Sequence, residues 1–388
     1  MITLNPDNVK TYDSKASLYN PKFIDFTKEP MFLGTGRNTQ KFDLMKYPIF
    51  DNLNDKMQGL DWRHDEIKLT PDKIDYETKM LEPMKHAYTR VLQKLIFLDS
   101  LQGRGILSSL GLITTIPELE NCMLTWQYFE GAKHSKSYTE VLRGVYPNPG
   151  EIFDESFKIP ELMYIAKSIS EPYNICFELV TEYNYCQIKG LKFDKIKELK
   201  LAILRLLVTI NILEGVRFYS GFVTIWSLHY SQGLMERTGN ILQLICRDEN
   251  MHLAITQTLL NILKTKEDEG FVEVYNEFKP EIHKLYEEAY KDEEVWIDLL
   301  FSKGSFLGMN ADIAKTYIKY TINRRLKAIG ENILFKGYDT NPVKWADAYI
   351  NSDKNEVLPQ ETEILNYRTD ILNREVSDND LESLKTML

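Results

Sequence analysis

Apolar residues recur along most of this sequence at the three- and four-residue spacing of amphipathic helices. No stretch of any length alternates apolar and polar residues as a half-buried strand would, and the sequence contains no internal repeat. Pro172 is expected to bend or break the helix in which it falls, because proline lacks an amide hydrogen. The predicted helices cover about residues 83–111, 117–146, 160 onward, 194–229, 234–264, 270–301 and 310–329.

The same pattern divides the chain into three parts. Residues 1–47 mix Pro, Gly, Asn and Asp without sustained periodicity and are predicted to form an irregular N-terminal arm. Residues 48–350 are predicted to form one helical domain, with the helix at 194–229 deep inside it because its middle is apolar nearly all round. Residues 351–388 are polar and are predicted to be a flexible C-terminal tail that could order on a partner.

Composition and charge narrow the functional classes. The 388 residues are 43% hydrophobic, enough for a large core, and the formal net charge of -10 argues against binding nucleic acid. Residues 1–10 lack the apolar core of a signal peptide, and the apolar stretch 201–213 is too short to span a bilayer. We therefore expect a cytoplasmic protein with no membrane or nucleic-acid partner. The four cysteines are scattered, which favours buried free thiols over a disulfide frame or a zinc knuckle.

The candidate chemistry begins with Glu249 and His252, three residues apart on the helix predicted at 234–264. Both side chains should project from one face, which is expected to point inward because Leu242, Ile245 and Leu253 share it. A buried carboxylate and a buried imidazole are costly unless something satisfies them, and a divalent metal ion does so. Taken alone, such a pair is more often a surface glutamate beside a chance histidine.

Other predicted helices add further buried acids. Glu214 lies among apolar neighbours, where it could either bind a metal or be neutralised by Arg217 alone. Glu130 and His134 form a second acid–imidazole pair, and Asp99 supplies another single carboxylate. Two single carboxylates and two Glu/His pairs match the known ligand pattern of ferritin-like di-iron carboxylate bundles. The sequence therefore predicts an all-α, ferritin-like helical bundle with a dinuclear site in its core, and this donor set favours iron or manganese over structural zinc.

Short motifs surround these candidate ligands and extend toward both ends of the chain. They are Glu29-Pro30-Met31-Phe32, Asp99-Ser100-Leu101-Gln102-Gly103-Arg104, His134-Ser135-Lys136-Ser137-Tyr138, Glu214-Gly215-Val216-Arg217-Phe218-Tyr219, Arg247-Asp248-Glu249-x-x-His252, and Pro359-Gln360-Glu361 with Tyr367. In combination they closely resemble the small, radical-generating subunit of class I ribonucleotide reductase. The resemblance covers most of the chain.

In that family the bundle holds two metal ions that use molecular oxygen to oxidise a nearby tyrosine. The resemblance implies that this tyrosine is Tyr138, behind an apolar wall formed by Phe218, Phe222 and Ile245. It also implies a centre of iron, of manganese, or of both. By the same resemblance the ligands are Asp99, Glu130, His134, Glu214, Glu249 and His252.

The resemblance further implies how the oxidising equivalent leaves the centre. Trp62 and Asp248 match the family's relay, in which the aspartate links a metal-bound histidine to an indole. Tyr367 matches the tail tyrosine that passes the equivalent to the large subunit, and Glu361 matches an acidic residue required in that tail. The family implies a homodimer whose tail docks on the large subunit, where ribonucleotides are reduced to deoxyribonucleotides. Judged by residue type alone, Trp62 is an ordinary core or rim tryptophan and Tyr367 an incidental aromatic residue.

One departure from the family lies between the second pair of ligands. The family has Glu-x-x-His, whereas Glu130 and His134 are separated by Gly131, Ala132 and Lys133. In an ideal helix, residues three apart lie about 60° from each other and residues four apart about 40°, in opposite senses. We predict a one-residue π-bulge over residues 131–133, which would absorb the insertion and restore the ligand positions.

Two rival functions also fit a dinuclear site. A ferritin-like oxygenase or oxidase acting on its own small substrate would need an open pocket over the metals and would have no use for Tyr367. A non-catalytic metal store would leave the joint presence of Tyr138, Trp62 and Asp248 unexplained. The favoured prediction is therefore the small subunit of a ribonucleoside-diphosphate reductase.

Overall fold

Helices supply nearly all of the regular structure in the computed structural model, which describes residues 18–20 and 22–350. The β pairing in that part is limited to two isolated bridges, Phe32 with Thr114 and Phe306 with Met309. The prediction of an all-α fold is confirmed. The helices are α1 (Pro48–Gly59), α2 (Thr70–Thr78), α3 (Glu82–Ser109), α4 (Pro117–Tyr128), α5 (Ser135–Val145), α6 (Pro149–Ser156), α7 (Pro160–Lys189), α8 (Ile196–Ile212), α9 (Phe218–Gln232), α10 (Glu236–Leu263), α11 (Val272–Leu300), α12 (Ala311–Ala328) and α13 (Ala346–Ile350).

Each long helix predicted from periodicity is present with nearly the expected ends. The segment predicted at 117–146 is α4 and α5 joined by a π-helical turn, Phe129–His134. The segment predicted at 194–229 is α8 and α9 joined by a second π-helical turn, Leu213–Arg217. A break at Pro172 does not occur, since α7 continues through it. Packing of α7 against α3 and α8 compensates for the single hydrogen bond that the proline removes.

The helices α8 and α9 lie at the centre of the bundle. From Phe218 to Leu228 every residue of α9 is buried, as its continuous apolar sequence predicts. The helix α8 contacts α7, α10 and α11, and α9 contacts α3, α10 and α12. This arrangement places the inward faces of α3, α4–α5, α8–α9 and α10 together.

The segment before α1 is tied to the bundle by its backbone. Residues 22–47 contain one short 3₁₀ turn, Phe26–Lys28, and are otherwise irregular. The amide of Met31 donates to Glu269 Oε2 at 2.6 Å, and the amide of Leu33 donates to the carbonyl of Ile113 at 2.9 Å. The predicted tail, residues 351–388 with Glu361 and Tyr367, lies outside the described residues.

The four cysteines are buried and free, as their scattered spacing predicts. Burial raises the pKa of the Cys246 thiol to about 12, so this side chain stays protonated and unreactive at neutral pH. None of the described helices is both long and apolar enough to span a membrane.

Candidate metal centre

Two π-helical turns carry three of the candidate ligands. The turn Phe129–His134 confirms the bulge predicted over residues 131–133, and it contains both Glu130 and His134. The wider turn lets these two side chains share one inward face despite their four-residue spacing, and both are fully buried. The second turn, Leu213–Arg217, contains Glu214 and was not predicted. Such turns are rare and concentrate at functional sites.

The six predicted ligands converge into two groups of side chains, and all six side chains are fully buried. Within each group, one ligand atom from each residue lies within 4.8 Å of the others. The groups are Asp99, Glu130, His134 and Glu249, and Glu130, Glu214, Glu249 and His252. Two of the residues, Glu130 and Glu249, therefore belong to both groups.

Glu130 and Glu249 link the groups through their separate oxygens. Glu130 Oε2 lies 3.4 Å from His134 Nδ1, and its Oε1 lies 2.9 Å from His252 Nδ1. Glu249 Oε1 lies 3.2 Å from His134 Nδ1, and its Oε2 lies 3.3 Å from His252 Nδ1. Each carboxylate can therefore bind one cation with each of its oxygens.

Asp99 and Glu214 each belong to one group only. Asp99 Oδ2 lies 4.0 Å from His134 Nδ1, and Glu214 Oε1 lies 3.9 Å from His252 Nδ1. Each group therefore contains one imidazole, one carboxylate of its own and two shared carboxylates. This is the arrangement expected of a dinuclear centre with mainly oxygen ligands.

Several polar atoms of the cluster have no hydrogen-bond partner among the described residues. Buried polar atoms are normally paired, because leaving them unpaired costs free energy. A pair of divalent cations would satisfy them, and oxygen donors with one imidazole per group suit iron or manganese. The residues present thus fit two such ions. The unpaired atoms that the ions would satisfy are Asp99 Oδ1 and Oδ2, Glu130 Oε2, Glu214 Oε2, Glu249 Oε1 and His134 Nδ1. His252 Nε2 is unpaired as well, but this ring turns its Nδ1 to the acids.

Close packing of the acids disturbs their ionisation. Burial raises the pKa of Asp99 well above its usual range, and the charge of Glu130 adds to the effect. Burial likewise raises the pKa of Glu214, with the charges of Glu249 and Glu130 adding to it. Burial also acts to raise the pKa of Glu130, but the two imidazoles outweigh it and lower that pKa to about 2. The cluster thus has more acid groups than its imidazoles can neutralise, and two divalent cations would balance them.

Trp126, Gln102 and Tyr173 orient the ligands from outside the two groups. Trp126 Nε1 donates to Glu214 Oε1 at 3.0 Å, and its ring stacks on His252 with centroids 5.4 Å apart. Gln102 Nε2 donates to the same oxygen of Glu214, while Gln102 Oε1 accepts the hydroxyl hydrogen of Tyr173. These contacts fix the carboxylate of Glu214 before any ion binds.

Sequence reasoning missed Trp126 and Tyr173. For Trp126 the sequence held one signal, since this residue lies one helical turn before Glu130. In the structure Trp126 Nε1 also donates to Glu130 Oε1 at 3.3 Å. Gln102 falls inside a recognised motif, but nothing in the motif indicates its contact with Glu214. Tyr173 comes from α7, and nothing in the sequence near it indicates the contact.

Arg217 does not neutralise Glu214, which was the simpler interpretation of that buried acid. Arg217 Nη2 lies 2.7 Å from Asp292 Oδ2, and its Nη1 lies 3.7 Å from Glu293 Oε1. The guanidinium is thus paired with acids of α11, and Glu214 faces the other candidate ligands of its group.

Tyr138 is fully buried on α5, and its hydroxyl has no hydrogen-bond partner among the described residues. Burial raises the pKa of this phenol well above its usual range, and the charges of Asp99 and Glu249 add to the effect. Tyr138 is therefore a neutral phenol, and removing an electron from it requires removing its proton as well. The residues predicted as its apolar wall are also fully buried: Phe218, Phe222 and Ile245.

Trp62, Asp248 and His134 form a hydrogen-bonded chain. Trp62 Nε1 donates to Asp248 Oδ2 at 2.7 Å, and the same oxygen lies 3.2 Å from His134 Nε2. The His134 ring thus presents Nδ1 to the metal group and Nε2 to Asp248, so the aspartate fixes the orientation of the imidazole. The structure places every predicted site residue in or beside this cluster except Tyr367, which lies outside the described residues.

Known proteins share this arrangement of sequence and fold. A family model described as "Ribonucleotide reductase, small chain" matches residues 40–342. The ribonucleoside-diphosphate reductase 1 subunit beta of Escherichia coli O157:H7 is 33% identical over 368 residues, covering 93% of this chain and 97% of that protein.

Solved structures of similar fold agree with these matches. The ribonucleotide reductase R2 subunit from Clostridium botulinum has a TM-score of 0.73 and 26% sequence identity, covering 88% of this chain and 99% of that one. The dimanganese(II)-NrdF protein of Streptococcus sanguinis shares the fold, with a TM-score of 0.61 and 21% identity, covering 79% of this chain and 99% of that one. With most of its length matched and the buried carboxylate–histidine cluster in place, the chain belongs to the class I ribonucleotide reductase small-chain family, the beta subunits of ribonucleoside-diphosphate reductase.

Proposed function

We propose that this chain generates an oxidised tyrosine at Tyr138 and delivers its oxidising equivalent through Trp62 and Asp248 to a large reductase subunit. The observation that carries the proposal is the hydrogen-bonded chain from His134 through Asp248 to Trp62. It begins at a histidine of the metal group and ends at an indole, a side chain that can give up one electron. A metal store would have no use for such a path.

The two groups are proposed to hold two iron ions, two manganese ions, or one of each. When bound, the metal pair and molecular oxygen supply the oxidant that Tyr138 requires. The donor set alone does not separate the two metals, and a relative of the same fold is described as a dimanganese(II) protein. Elemental analysis combined with anomalous scattering at each position identifies the ions. The residues proposed to hold them are Asp99, Glu130, His134, Glu214, Glu249 and His252.

Tyr138 is proposed to store the oxidising equivalent as a neutral phenoxyl radical. Its phenol is buried and protonated, so oxidation removes one electron and one proton. Phe218, Phe222 and Ile245, which are fully buried, are proposed to keep water and thiols away from the radical. Return of one electron and one proton restores the phenol, while a residue of the large subunit loses one electron and one proton.

Trp62, Asp248 and Tyr367 are proposed to carry the oxidising equivalent outward. Asp248 holds the indole in place by accepting a hydrogen bond from its N–H, and Tyr367 would continue the path to the large subunit. We propose that residues 351–388, including Glu361, dock on that subunit, and that the working small subunit is a homodimer. Its proposed compartment is the cytoplasm, in keeping with the free buried cysteines.

An oxygenase or oxidase acting on its own small substrate is the alternative. That function needs a route by which the substrate reaches the metals. All six candidate ligand side chains are fully buried, which leaves a substrate no exposed edge of the site to approach. The burial of the ligands therefore favours transfer of a radical over direct oxidation of a bound molecule.

Electron paramagnetic resonance tests the proposal directly. Adding ferrous iron and oxygen to the metal-free protein should produce a tyrosyl signal that disappears in Tyr138→Phe. Tyr286→Phe is the matched control, because Tyr286 is also fully buried but bonds to Asn211 on a different part of the bundle. A signal that persists in Tyr138→Phe would assign the radical elsewhere. A metal-loaded wild-type protein without any radical, prepared with either metal, would contradict the proposed function.

A further inference from the structure

Lys133 is a buried lysine in the π-helical turn between two metal-group residues. Its side chain is 5% exposed, and it directly precedes His134. Long cationic side chains are seldom buried unless they are paired. The four-residue spacing of Glu130 and His134 puts three residues between the ligands, and Lys133 is the one of the three that is buried.

The ammonium group of Lys133 points to the connector that carries Trp62. Lys133 Nζ donates to the backbone carbonyl of Trp62 and forms an ion pair with Asp61 Oδ1. The same ammonium lies over the rings of Tyr128 and Phe129, at 5.2 and 5.4 Å from their centroids. The carboxylate of Asp61 is 54% exposed, so this ion pair alone contributes little to stability. The burial of the Lys133 side chain is therefore explained by its contacts with the Trp62 carbonyl and with the two aromatic rings.

Trp62 needs such support because no helix holds it. It lies in residues 60–69, between α1 and α2, where the chain has no regular structure. On one side of Trp62, Arg247 Nη2 donates to the carbonyl of Leu60 at 2.6 Å. Lys133 fixes the carbonyl of Trp62 itself, and the indole then reaches Asp248 at 2.7 Å.

We propose that Lys133 is a positioning residue for Trp62. By fixing the Trp62 backbone, it holds the indole N–H on Asp248, and the π-helical turn presents that lysine to the Trp62 carbonyl. The inference rests on the proposed function, in which Trp62 carries the oxidising equivalent away from His134. Lys133 itself neither binds metal nor transfers an electron.

The test uses the full-length protein with Lys133→Met, which keeps the length of the side chain and removes the ammonium. The protein is labelled with 5-fluorotryptophan, and the resonance of Trp62 among the five tryptophans is assigned with Trp62→Phe. In the metal-free protein the fluorine resonance of Trp62 should shift or broaden in Lys133→Met, while the other four stay in place. Lys136→Met is the matched control, because Lys136 is exposed on the same segment, and it should change nothing.

Assays of the loaded protein complete the test. Metal content and the Tyr138 radical signal should stay near wild type in Lys133→Met, because Lys133 contacts neither ligand group. Reduction of ribonucleoside diphosphates with the large subunit should fall on the order of tenfold to a hundredfold, the cost of a small misplacement of a reacting group. If Lys133→Met does not fold, Lys133→Leu, which also removes the donor but needs less space, replaces it with the same expected result.

Three results would overturn the inference. The first is an unchanged Trp62 resonance in the Lys133 variants. The second is a displaced resonance with an unchanged rate of nucleotide reduction. The third is an equal effect from Lys136→Met. Failure of the proposed function is recognised separately, since Trp62→Phe would then reduce nucleotides at the wild-type rate whatever the resonance of Trp62 does.

Discussion

Glu130 and Glu249 are the two residues on which both halves of the candidate centre depend. Each turns one oxygen to the Nδ1 atom of His134 and the other to the Nδ1 atom of His252. Asp99 belongs to one group only. Because the roles differ, loss of a shared carboxylate and loss of an unshared one should have different effects on metal loading.

Glu249→Ala should weaken both ions at once. The expected loss of affinity is at least tenfold at each position, since even residues that only support ligands are worth about 10- to 100-fold. Asp99→Ala is the matched comparison, and it should retain one tightly bound ion in the group of His252. Elemental analysis measures the number of bound ions in the two variants, and isothermal calorimetry measures their affinity. One ion retained in each variant would show that Glu249 is not shared.

Metal binding should release protons and become tighter as pH rises. Burial and neighbouring charges raise the pKa values of Asp99 and Glu214, so in the metal-free protein both hold a proton to higher pH than free acids do. Burial acts to lower the pKa of His252, but Glu130 and Glu249 outweigh it and raise that pKa to about 9. Each proton displaced makes the apparent affinity about tenfold stronger per pH unit. Calorimetry in two buffers of different ionisation enthalpy counts the protons, and a count of zero would contradict the assignment.

The same shifts set the stability of the metal-free protein. Between about pH 4.5, the usual value for glutamic acid, and about pH 9, the folded site binds more protons than the unfolded chain. Its contribution to the free energy of unfolding must therefore fall as pH rises through that window. The lowered pKa of Glu130 acts in the opposite direction, but only below pH 4.5. Urea denaturation at several pH values checks the sign. In Asp99→Asn/Glu214→Gln the fall should remain only above about pH 6.5, where the raised pKa of His252 still acts.

The sequence was sufficient to predict which candidate ligands come together but not which residues orient them. Glu249 and His252 could be predicted because both lie on one face of one helix, so their proximity is a local property. The contact of Tyr173 with Gln102 joins α7 to α3, and that of Lys133 with Trp62 joins the π-helical turn to an irregular connector. Such pairs depend on how distant segments pack, which no local spacing specifies.

At the scale of elements, the π-helical turn Phe129–His134 lies against α3 through two glycines. A Cβ atom at Gly103 would come 3.0 Å from the Cα of Gly131 and 3.1 Å from its backbone nitrogen. A Cβ atom at Gly131 would meet only the carbonyl oxygen of Gly103, at an ordinary 3.5 Å. The two positions face each other but do not tolerate a methyl group equally.

Gly103→Ala should therefore push the π-helical turn away from α3. The expected loss in free energy of unfolding is about 1–3 kcal/mol, the usual cost of an added methyl group without space. Affinity for the ion near Asp99 and Glu130 should fall as well, because these residues lie on the two separated elements. Gly131→Ala, the matched control, should be neutral or slightly stabilising. Urea denaturation of both variants, with and without metal, makes the comparison, and equal losses would contradict it.

Periodicity predicted the long helices but missed α1, α2, α6 and α13, which are short. A helix of few turns has too few apolar positions for its period to be recognised in the sequence. The main signal for α1, α2 and α6 is instead a proline in the first turn. Pro172 shows the reverse case, where a strong local signal is overridden by packing. The π-helical turn over residues 131–133 was predictable because an inserted residue had to be accommodated between two ligands. The turn at Leu213–Arg217 offered no such mismatch.

At the scale of the whole molecule, residues 18–350 contain every candidate ligand, Tyr138 and the chain from His134 to Trp62. Generation of the radical and its delivery should therefore be separable along the sequence. Removing residues 351–388 should leave metal content and the Tyr138 signal intact and reduce nucleotide reduction to background. Tyr367→Phe should also stop reduction, but it should keep the affinity for the large subunit measured by surface plasmon resonance. Full activity in either variant would remove the tail from the proposed path.

Complete burial of the six candidate ligands also has a kinetic consequence. An ion cannot reach fully buried carboxylates and imidazoles in a single diffusional step, so uptake must wait for a local opening of the bundle. At high metal concentration the rate of filling should then level off at the rate of that opening. The same barrier slows escape, so a filled centre would keep its metals long after the surrounding free ion has been depleted. The metal content of the centre would then reflect which ions were available when it was filled, not which ions are available later.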